Sequence, residues 1–235
     1  MMLTGKNILI TGISSGIGRS ITDLCIAENA NVWGIGRNKD RIEEVKKSCL
    51  YPDHLQTISY DLSGDNYDND YLLAFLPIKC DGFVHSAGIS ITKPLQYQTA
   101  EILLETFSVN IICAMKLIAL LTNRFNYDAS IVFISSVMGV VGQSAKLSYC
   151  ASKGAISSFT RSLALEYAPR KIRVNSILPG VVKTPLFEKL MNKLPSESLE
   201  TIYSQHPLGL GEPADIAHLV LFLLSDMSKY INGSL

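Results

Sequence analysis

The sequence predicts an α/β fold in which a doubly wound parallel sheet carries helices on both faces. Short apolar runs rich in β-branched residues alternate along the chain with longer amphipathic stretches. Parallel neighbours need a crossover connection, and a helix usually supplies it, so this alternation favours a parallel sheet. The 235 residues are 47% hydrophobic, which suffices for one sizeable core. We therefore expect a single domain spanning residues 1–235.

The predicted elements follow one another in a regular order. Residues 7–11 (NILIT) form the first apolar run, and an amphipathic stretch at 16–28 follows them. The later runs predict strands at 31–36, 55–60, 82–86, 130–135 and 173–178. The helical patterns lie at 39–49, 99–124, 148–167 and 213–225, with a weaker one at 67–75. No repeat and no Pro-, Gly- or Ser-rich linker indicates a second domain.

Composition excludes several classes of function. The chain has 21 Lys plus Arg and 21 Asp plus Glu, so it has no basic excess for nucleic acid or an anionic membrane. Its five cysteines are far apart and form no C-x-x-C pattern, which disfavours disulfides and a metal site. The N-terminus lacks a signal-peptide apolar stretch, and Lys116 interrupts the apolar run at 111–115. We expect a cytoplasmic protein without a metal.

A glycine-rich turn follows the first strand and opens the first helix. The run T-G-I-S-S-G-I-G occupies residues 11–18. At such a turn, backbone N–H groups and the positive helix end can bind a pyrophosphate, and glycine permits its close approach. The spacing is G-x-x-x-G-x-G, which differs from the general dinucleotide fingerprint G-x-G-x-x-G. Tight packing alone is the alternative explanation.

A second constellation pairs a tyrosine with a lysine. Tyr149 and Lys153 are four residues apart and share one face of a helix, and Ser136 ends the preceding strand. A nearby ammonium favours the phenolate and is expected to lower the tyrosine pKa, giving a general acid and base. A serine hydroxyl can polarise a carbonyl oxygen. Tyr-Lys pairs at this spacing also occur on helices without a catalytic role.

Together these motifs resemble the short-chain dehydrogenase/reductase family, and the resemblance covers essentially the whole chain in order. The family implies a Rossmann-like fold. The matching motifs are the turn at 11–18, Asp61-Leu62, His85-Ser86-Ala87-Gly88, Asn110, Ser136, Tyr149-Cys150-Ala151-Ser152-Lys153, and Pro179-Gly180 with Thr184.

The resemblance implies a role for each residue of the catalytic set. Ser136 positions the carbonyl, Tyr149 transfers a proton, and Lys153 lowers the tyrosine pKa and holds the nicotinamide ribose. Asn110 holds a water that links Lys153 to solvent. The family usually has N-N-A-G where this chain has His85-Ser86-Ala87-Gly88, and we interpret His85 as a satisfied side chain at a strand end.

The resemblance also implies a set of coenzyme contacts. Asp61 is expected to accept a hydrogen bond from the adenine amino group, the small residues after the fourth strand let the dinucleotide pass, and Thr184 contacts the carboxamide or a phosphate. The full set is Gly12, Ser14, Ser15, Gly16, Ile17, Gly18, Arg37, Asp61, Leu62, Ala87, Gly88, Tyr149, Lys153, Pro179, Gly180 and Thr184.

Coenzyme preference is predicted from the end of the second strand. Folds that prefer NAD place an acidic side chain there, which accepts from the ribose 2′-hydroxyl. This chain has Arg37 instead and no acid before Asp40, so we expect NADP(H) to be preferred over NAD(H). A solvent-facing arginine is the alternative, and Ser15 is not the second basic residue that many NADP-using relatives have there.

The predicted reaction is hydride transfer between a nicotinamide and a ketone or secondary alcohol. Within the family the chain is most similar to 3-oxoacyl-carrier-protein reductases, for which Arg170 and Lys171 are candidate basic contacts. Sugars, polyols and cyclic ketones are alternative substrates, and a non-catalytic nucleotide-sensing module is a different class of function. Specificity should lie in the loops at 137–147 and 183–206, where Phe187, Leu190, Met191, Leu194 and Tyr203 form either a lid or an amphipathic helix.

Two expectations concern the whole molecule. The helices at 99–124 and 148–167 carry more apolar residues than one buried stripe needs, which favours a homodimer or homotetramer; these residues include Ile112, Met115, Ile118, Ile156, Phe159 and Leu163. Members of the family continue past 230–233 into a final strand. Either this sequence is truncated or its sheet ends one strand early, and we expect truncation, because a missing strand would expose the edge of its neighbour.

Overall fold

The fold is described from a computed structural model of the chain, for residues 1–64, 68–191 and 196–235. Six parallel strands form one sheet in the order β3-β2-β1-β4-β5-β6, which confirms the predicted doubly wound α/β class. The strands are β1 (Asn7–Thr11), β2 (Asn31–Gly36), β3 (Leu55–Ser59), β4 (Cys80–His85), β5 (Phe125–Ile134) and β6 (Arg173–Ile177). The helices are α1 (Gly16–Ala27), α2 (Lys39–Lys47), α3 (Asn69–Phe75), α4 (Ala100–Phe107), α5 (Cys113–Leu121), α6 (Leu147–Tyr167), α7 (Pro185–Met191), α8 (Ser196–Ser204) and α9 (Pro213–Leu224).

The sheet separates two hydrophobic cores. Side chains alternate along a strand, so Ile8 and Ile10 of β1 face one core, together with α1 and α9, while Leu9 faces the other, together with α5 and α6. Both faces of the central strands are therefore buried, as a parallel sheet requires.

The strand order reverses between β1 and β4, which are neighbours in the sheet. The connections from these two strands leave toward opposite faces, and this opens a crevice at the carboxyl ends of the strands. Thr11 and His85 are paired at this end, and the glycine-rich turn follows Thr11 directly. The fold thus places the turn at the position where such sheets bind ligands.

β5 begins five residues earlier than the sequence pattern predicts. Cys80 pairs with Phe125, but Gly82 pairs with Ser130, so β5 contains extra residues between these two pairs. Asp128 adopts a positive φ of 66° within this irregularity. The polar residues Asn126 to Asp128 break the apolar run, which is why periodicity alone missed the start of the strand.

The helix predicted at 99–124 is divided into α4 and α5 by a π-helical turn at Ser108–Ile112. Single π turns inside helices occur frequently at functional sites. Within the described residues, the helical stretch Ala100–Leu121 is long and apolar enough to cross a membrane. Half of its most apolar window is buried inside the structure. A core helix passes the same test.

The segment at 183–206 forms two helices, α7 and α8, with residues 192–195 between them lying outside the described residues. The lid candidate Leu194 falls in that gap. Phe187, Met191 and Tyr203 line a small cavity between the two helices. At the sheet edge formed by β6, Gly233 N–H donates to Val174 O and Ser176 N–H donates to Ser234 O. The described residues after β6 contain no further strand.

Candidate active site

The glycine-rich turn is shaped by close backbone packing. Gly12 and Gly16 have φ angles of +79° and +55°, which other residues rarely adopt. A Cβ on Gly12 would lie 2.7 Å from the backbone nitrogen of Ala87, and one on Gly18 would lie 2.3 Å from the carbonyl oxygen of Gly12. Glycines at these positions let the turn fold tightly against the end of β4.

The first N–H groups of α1 are suited to an anion. The N-cap residue Ser15 makes no side-chain cap, and the first turn holds no acidic residue. The N–H groups at a helix start have no partner within the helix and carry the positive end of its dipole. Ser14 and Ile17 are half-buried beside this helix start. The turn therefore fits the pyrophosphate of a dinucleotide by its backbone alone.

The other coenzyme candidates lie at the same edge of the sheet because each follows a parallel strand. Arg37 follows β2, Asp61 and Leu62 follow β3, Ala87 and Gly88 follow β4, and Pro179 and Gly180 follow β6. Thr184 lies against the glycine-rich turn. A Cβ placed on Gly16 would be 3.1 Å from the methyl group of Thr184. The structure thus brings the predicted set together along one crevice.

Arg37 and Asp61 are exposed neighbours at this edge. Burial opposes ionisation of Asp61, but hydrogen bonds from the N–H and hydroxyl of Ser63, and then the charge of Arg37, lower the pKa of its carboxyl. The Arg37 side chain forms no salt bridge within the described residues. Its guanidinium group remains accessible at the end of β2.

Ser136, Tyr149 and Lys153 converge at the ends of β5 and α6. The Ser136 hydroxyl lies beside Tyr149 and acts to lower its pKa, and Lys153 Nζ lies 5.7 Å from the centroid of the Tyr149 ring. The Lys153 ammonium donates a 2.7 Å hydrogen bond to Ile134 O, and its backbone carbonyl accepts one from Ser135. The three side chains therefore form one buried or half-buried cluster.

The expected lowering of the tyrosine pKa is wrong for this structure. Burial raises the pKa of Tyr149, and the hydrogen bond from Ser136 only partly offsets this. Burial also lowers the pKa of Lys153 to about 8. The sequence argument considered the attraction between the ammonium and phenolate groups. It left out the loss of hydration that both groups suffer in the buried first turns of α6.

Asn110 lies in the π-helical turn and clamps the segment after β4. Its side chain accepts from Ile89 N–H at 2.8 Å and donates to Ile89 O at 3.0 Å and to Ser152 Oγ at 2.8 Å. A Cβ on Gly88 would lie 3.5 Å from both Asn110 Oδ1 and Lys153 Nζ. Asn110 thus joins β4, the π-helical turn and α6 beside the catalytic candidates.

His85 fills the place of the first asparagine of the family motif and is fully satisfied there. Its Nδ1 lies 2.9 Å from Thr11 Oγ1 and its Nε2 lies 3.2 Å from Asn110 O. Thr11 also accepts from Ala87 N–H at 3.2 Å, so the neutral imidazole links β1, β4 and the π-helical turn. Burial, followed by the charge of Lys153, lowers the pKa of His85 to about 3. The interpretation of His85 as a satisfied side chain agrees with these contacts.

Two residues beside the cluster were missed by the sequence analysis. Lys146 is buried and donates to Ser90 Oγ at 2.8 Å, and His206 joins α8 to the loop after β6. His206 Nε2 accepts from Val181 N–H at 3.1 Å, while Nδ1 lies 2.7 Å from Ile202 O. Neither belongs to a motif, and only the position of Lys146 three residues before Tyr149 could have drawn attention to it.

The candidate carrier-protein contacts lie at the opposite end of α6 from the catalytic candidates. Arg170 and Lys171 follow the C-terminal end of α6, whereas Tyr149 and Lys153 occupy its first two turns. Arg170 lies 17 positions after Lys153, along α6 and the 3₁₀ turn that follows it, which corresponds to about 25 Å. Arg170 donates to Thr122 O and Phe125 O at 2.6 Å each, so its guanidinium group ties α5 and β5 together at the far edge of the sheet.

Comparisons with known proteins agree over nearly the whole chain. A family model described as enoyl-(acyl carrier protein) reductase matches residues 12–235. A 3-oxoacyl-[acyl-carrier-protein] reductase of Thermotoga maritima is 32% identical over 99% of this chain and 96% of its own length. An NADP-dependent (R)-specific alcohol dehydrogenase of Lentilactobacillus kefiri is 34% identical over 99% and 94%. The structure of the angucycline C-6 ketoreductase LanV with bound NADP superposes with a TM-score of 0.90, at 26% identity over 99% and 93%.

Proposed function

Because this chain belongs to the short-chain dehydrogenase/reductase family of NAD(P)-dependent oxidoreductases, we propose that it is an NADP(H)-dependent reductase of ketones. One observation carries the proposal. Ser136, Tyr149 and Lys153 form a single cluster beside the crevice into which the glycine-rich turn opens. A module that only sensed a nucleotide would have no use for this cluster.

Ser136, Tyr149 and Lys153 have different roles at the substrate carbonyl. The hydroxyl groups of Ser136 and Tyr149 lie side by side, and each can turn its single proton toward the substrate carbonyl oxygen. The nicotinamide coenzyme supplies the hydride when bound. Tyr149 donates its proton to the oxygen as negative charge develops there, and the nearby Lys153 ammonium stabilises the phenolate that is left. The raised pKa of Tyr149 keeps the phenol protonated and ready to donate at neutral pH.

Coenzyme binding is assigned to the crevice residues. The uncapped start of α1 would hold the pyrophosphate, and Asp61 and Leu62 would lie beside the adenine. Lys153 would contact the nicotinamide ribose, while Pro179, Gly180 and Thr184 would border the nicotinamide. Space at Gly88, where a Cβ would approach Lys153 Nζ, supports passage of the dinucleotide.

Preference for NADP(H) rests on Arg37. Its exposed guanidinium group stands at the end of β2, without a salt bridge inside the described residues. A guanidinium group can contact a 2′-phosphate through two hydrogen bonds. The Lentilactobacillus relative is NADP-dependent by name and the LanV structure contains NADP, and both support the same preference.

The substrate is a small ketone or secondary alcohol, and a 3-oxoacyl thioester is one candidate. The Thermotoga relative supports the thioester, and Arg170 and Lys171 stay candidate contacts for a carrier protein at the far end of α6. Sugar, polyol and cyclic-ketone substrates remain alternatives within the same chemistry. We further assign the protein to the cytoplasm and to a homodimer or homotetramer.

A coenzyme oxidation assay tests the function. The protein is mixed with NADPH and a panel of small ketones, sugars and 3-oxoacyl thioesters, and absorbance of the reduced nicotinamide is followed. We expect consumption with at least one member, and faster consumption with NADPH than with NADH. Tight binding of NADPH without consumption across the whole panel would instead support a nucleotide sensor.

A further inference from the structure

Lys146 is a buried cation inside the candidate active site. It lies at the N-cap position of α6, three residues before Tyr149, and only 7% of it is exposed. Its ammonium group donates a 2.8 Å hydrogen bond to Ser90 Oγ and lies 5.9 Å from the centroid of the Tyr149 ring. Lys153 Nζ lies 5.7 Å from the same centroid, so two ammonium groups stand close to one phenol.

Within residues 1–64, 68–191 and 196–235, no negatively charged side chain balances Lys146. Among the described residues, no carboxylate forms a salt bridge with it. Burial lowers the pKa of Lys146, and the thiol of Cys150 is the one titratable group whose effect opposes this. A buried ammonium without a counter-ion is unfavourable, and such groups are found where a ligand supplies the opposite charge.

The backbone around Lys146 is held in an unfavourable conformation that places its side chain. The preceding residue, Ala145, has a φ of +61°, which residues with a Cβ rarely adopt. Its carbonyl accepts a 2.8 Å hydrogen bond from Lys93 N–H, which fixes this conformation. Strained residues of this kind concentrate at ligand sites.

Ser90, the hydrogen-bond partner of Lys146, is also held in place by its neighbours. Ser90 follows Ile89, whose N–H and carbonyl are both bound by the side chain of Asn110. Asn110 also bonds Ser152, next to Lys153. The Lys146–Ser90 pair therefore keeps a set position relative to the residues that we assign to the carbonyl.

We propose that Lys146, together with Ser90, binds an anionic group of the substrate, a carboxylate or a phosphate, and thereby selects ketones that carry negative charge. This inference rests on the proposed function, because the ketone is held at Ser136 and Tyr149. A lysine ammonium is a compact charge that suits both kinds of anion. The anion balances the charge of Lys146, which no carboxylate in the described part of the chain does, and the ketone is held at both its carbonyl oxygen and its anionic group.

Matched pairs of substrates test the selection. Pyruvate, acetoacetate and 4-oxopentanoate are each compared with their methyl esters, and dihydroxyacetone phosphate is compared with dihydroxyacetone. For each pair, kcat/KM with NADPH gives the ratio of anion to neutral ketone. We expect wild type to prefer at least one anion by about 10- to 100-fold, as charged hydrogen bonds allow. The carboxylate and phosphate pairs show which anion is selected.

Variants separate charge recognition from structural support. Lys146→Met should remove most of the preference by lowering kcat/KM for the anion, whereas Lys146→Arg should keep a preference. If Lys146 only supports the structure through its bond to Ser90, the variant should instead lower kcat/KM equally for both members of a pair. Lys93→Met removes an exposed positive charge nearby and should leave the ratio unchanged. No preference in any wild-type pair, or an equal ratio in wild type and Lys146→Met, overturns the proposal.

A binding measurement keeps this test separate from the proposed function. Titration calorimetry of 4-oxopentanoate and of dihydroxyacetone phosphate is carried out with excess NADP⁺, which cannot reduce a ketone. Weaker binding to Lys146→Met than to wild type supports the anion site even if no ketone is turned over. Equal binding to both proteins counts against it even if turnover is found.

Discussion

Tyr149 is the residue on which turnover should depend most strongly. Its hydroxyl is hydrogen-bonded to Ser136 and is the proton donor in the proposed reaction. Tyr149→Phe should lower kcat by about 10²- to 10⁴-fold, the usual effect of losing a positioned acid. NADPH binding, measured by fluorescence, should change little. Tyr230→Phe, which alters a fully exposed ring, is the control, and a Tyr149→Phe enzyme with more than half the wild-type kcat would exclude this role.

Arg37 should determine the choice of coenzyme. Removing a charge-assisted contact to the 2′-phosphate costs about 1.5–3 kcal/mol, or about 10- to 100-fold in affinity. Arg37→Ala should therefore raise the KM for NADPH by that factor and leave the KM for NADH nearly unchanged. Arg41→Ala removes an exposed arginine one helical turn away and serves as the control. A wild type that prefers NADH would show that Arg37 has no such role.

His85 should make stability depend on pH. Burial lowers its pKa to about 3 in the folded protein, against about 6.5 in an unfolded chain. The unfolded chain therefore binds the extra proton first, so the stability is complete above about pH 6.5 and falls on acidification at about 1.4 kcal/mol per unit.

The measurement is urea unfolding at pH 7.5 and 5.5. Between these values, His85 should cost wild type about 1.4 kcal/mol of the free energy of unfolding. His85→Asn removes the titrating group and should show a loss smaller by that amount, although it loses the contact with Asn110 O. Equal losses in the two proteins would mean that the imidazole is not buried as a neutral group.

The glycine-rich turn shows how an element depends on backbone approach. Gly12 and Gly5 have similar φ angles, +79° and +72°, but a Cβ would meet Ala87 N at 2.7 Å on Gly12 and nothing within 4 Å on Gly5. Gly5→Ala should cost about 1 kcal/mol from conformation alone. Gly12→Ala should cost a further 1–3 kcal/mol or so from the clash and should weaken NADPH binding. Urea unfolding of both variants measures the difference, and equal costs would contradict the close packing.

The long helix illustrates why an element could be predicted but its function could not. Apolar periodicity at 99–124 indicates one continuous helix, whereas the structure places a π-helical turn at Ser108–Ile112. That turn places Asn110 within hydrogen-bond distance of Ile89 and Ser152, both of which lie far from it in the sequence. A π turn leaves the apolar pattern almost intact, so periodicity does not reveal it.

The surface of the whole molecule retains apolar residues on the helices that we assign to subunit contact. Ile118, Ile156 and Leu163 are buried in the core of one chain, so half of the residues that suggested an interface do not support it. Leu104 in α4 is nevertheless 65% exposed, and Leu103, Met115 and Leu165 are exposed as well. These residues are available for a partner subunit.

Light scattering at micromolar concentration should therefore report a dimer or a tetramer. Leu104→Glu places a charge in the proposed interface and should shift the protein toward monomer. Ile78→Glu, at a residue that is 82% exposed between α3 and β4, should leave the assembly unchanged. A monomeric wild type, or equal behaviour of the two variants, would contradict this assignment.

The order of strands and helices along the chain and the parallel sheet could be predicted from apolar periodicity alone. Glycine spacing at 11–18 and the four-residue separation of Tyr149 and Lys153 indicated a site, while the resemblance to the short-chain dehydrogenase/reductase family implied the remaining site residues and their roles. Parallel topology then brings the ends of the strands to one crevice without further information. For that reason the site residues could be named before their contacts were known.

The surroundings of those residues became known only from the folded chain. Burial reversed the expected pKa shift of Tyr149, the length of α6 separated Arg170 from the site, and the segment after β4 supplied Ser90 as the partner of Lys146. Hydration, charge balance and hydrogen bonding depend on which distant segments pack around a group. Local patterns in the sequence carry no measure of that packing, so these properties emerge only when the chain is folded.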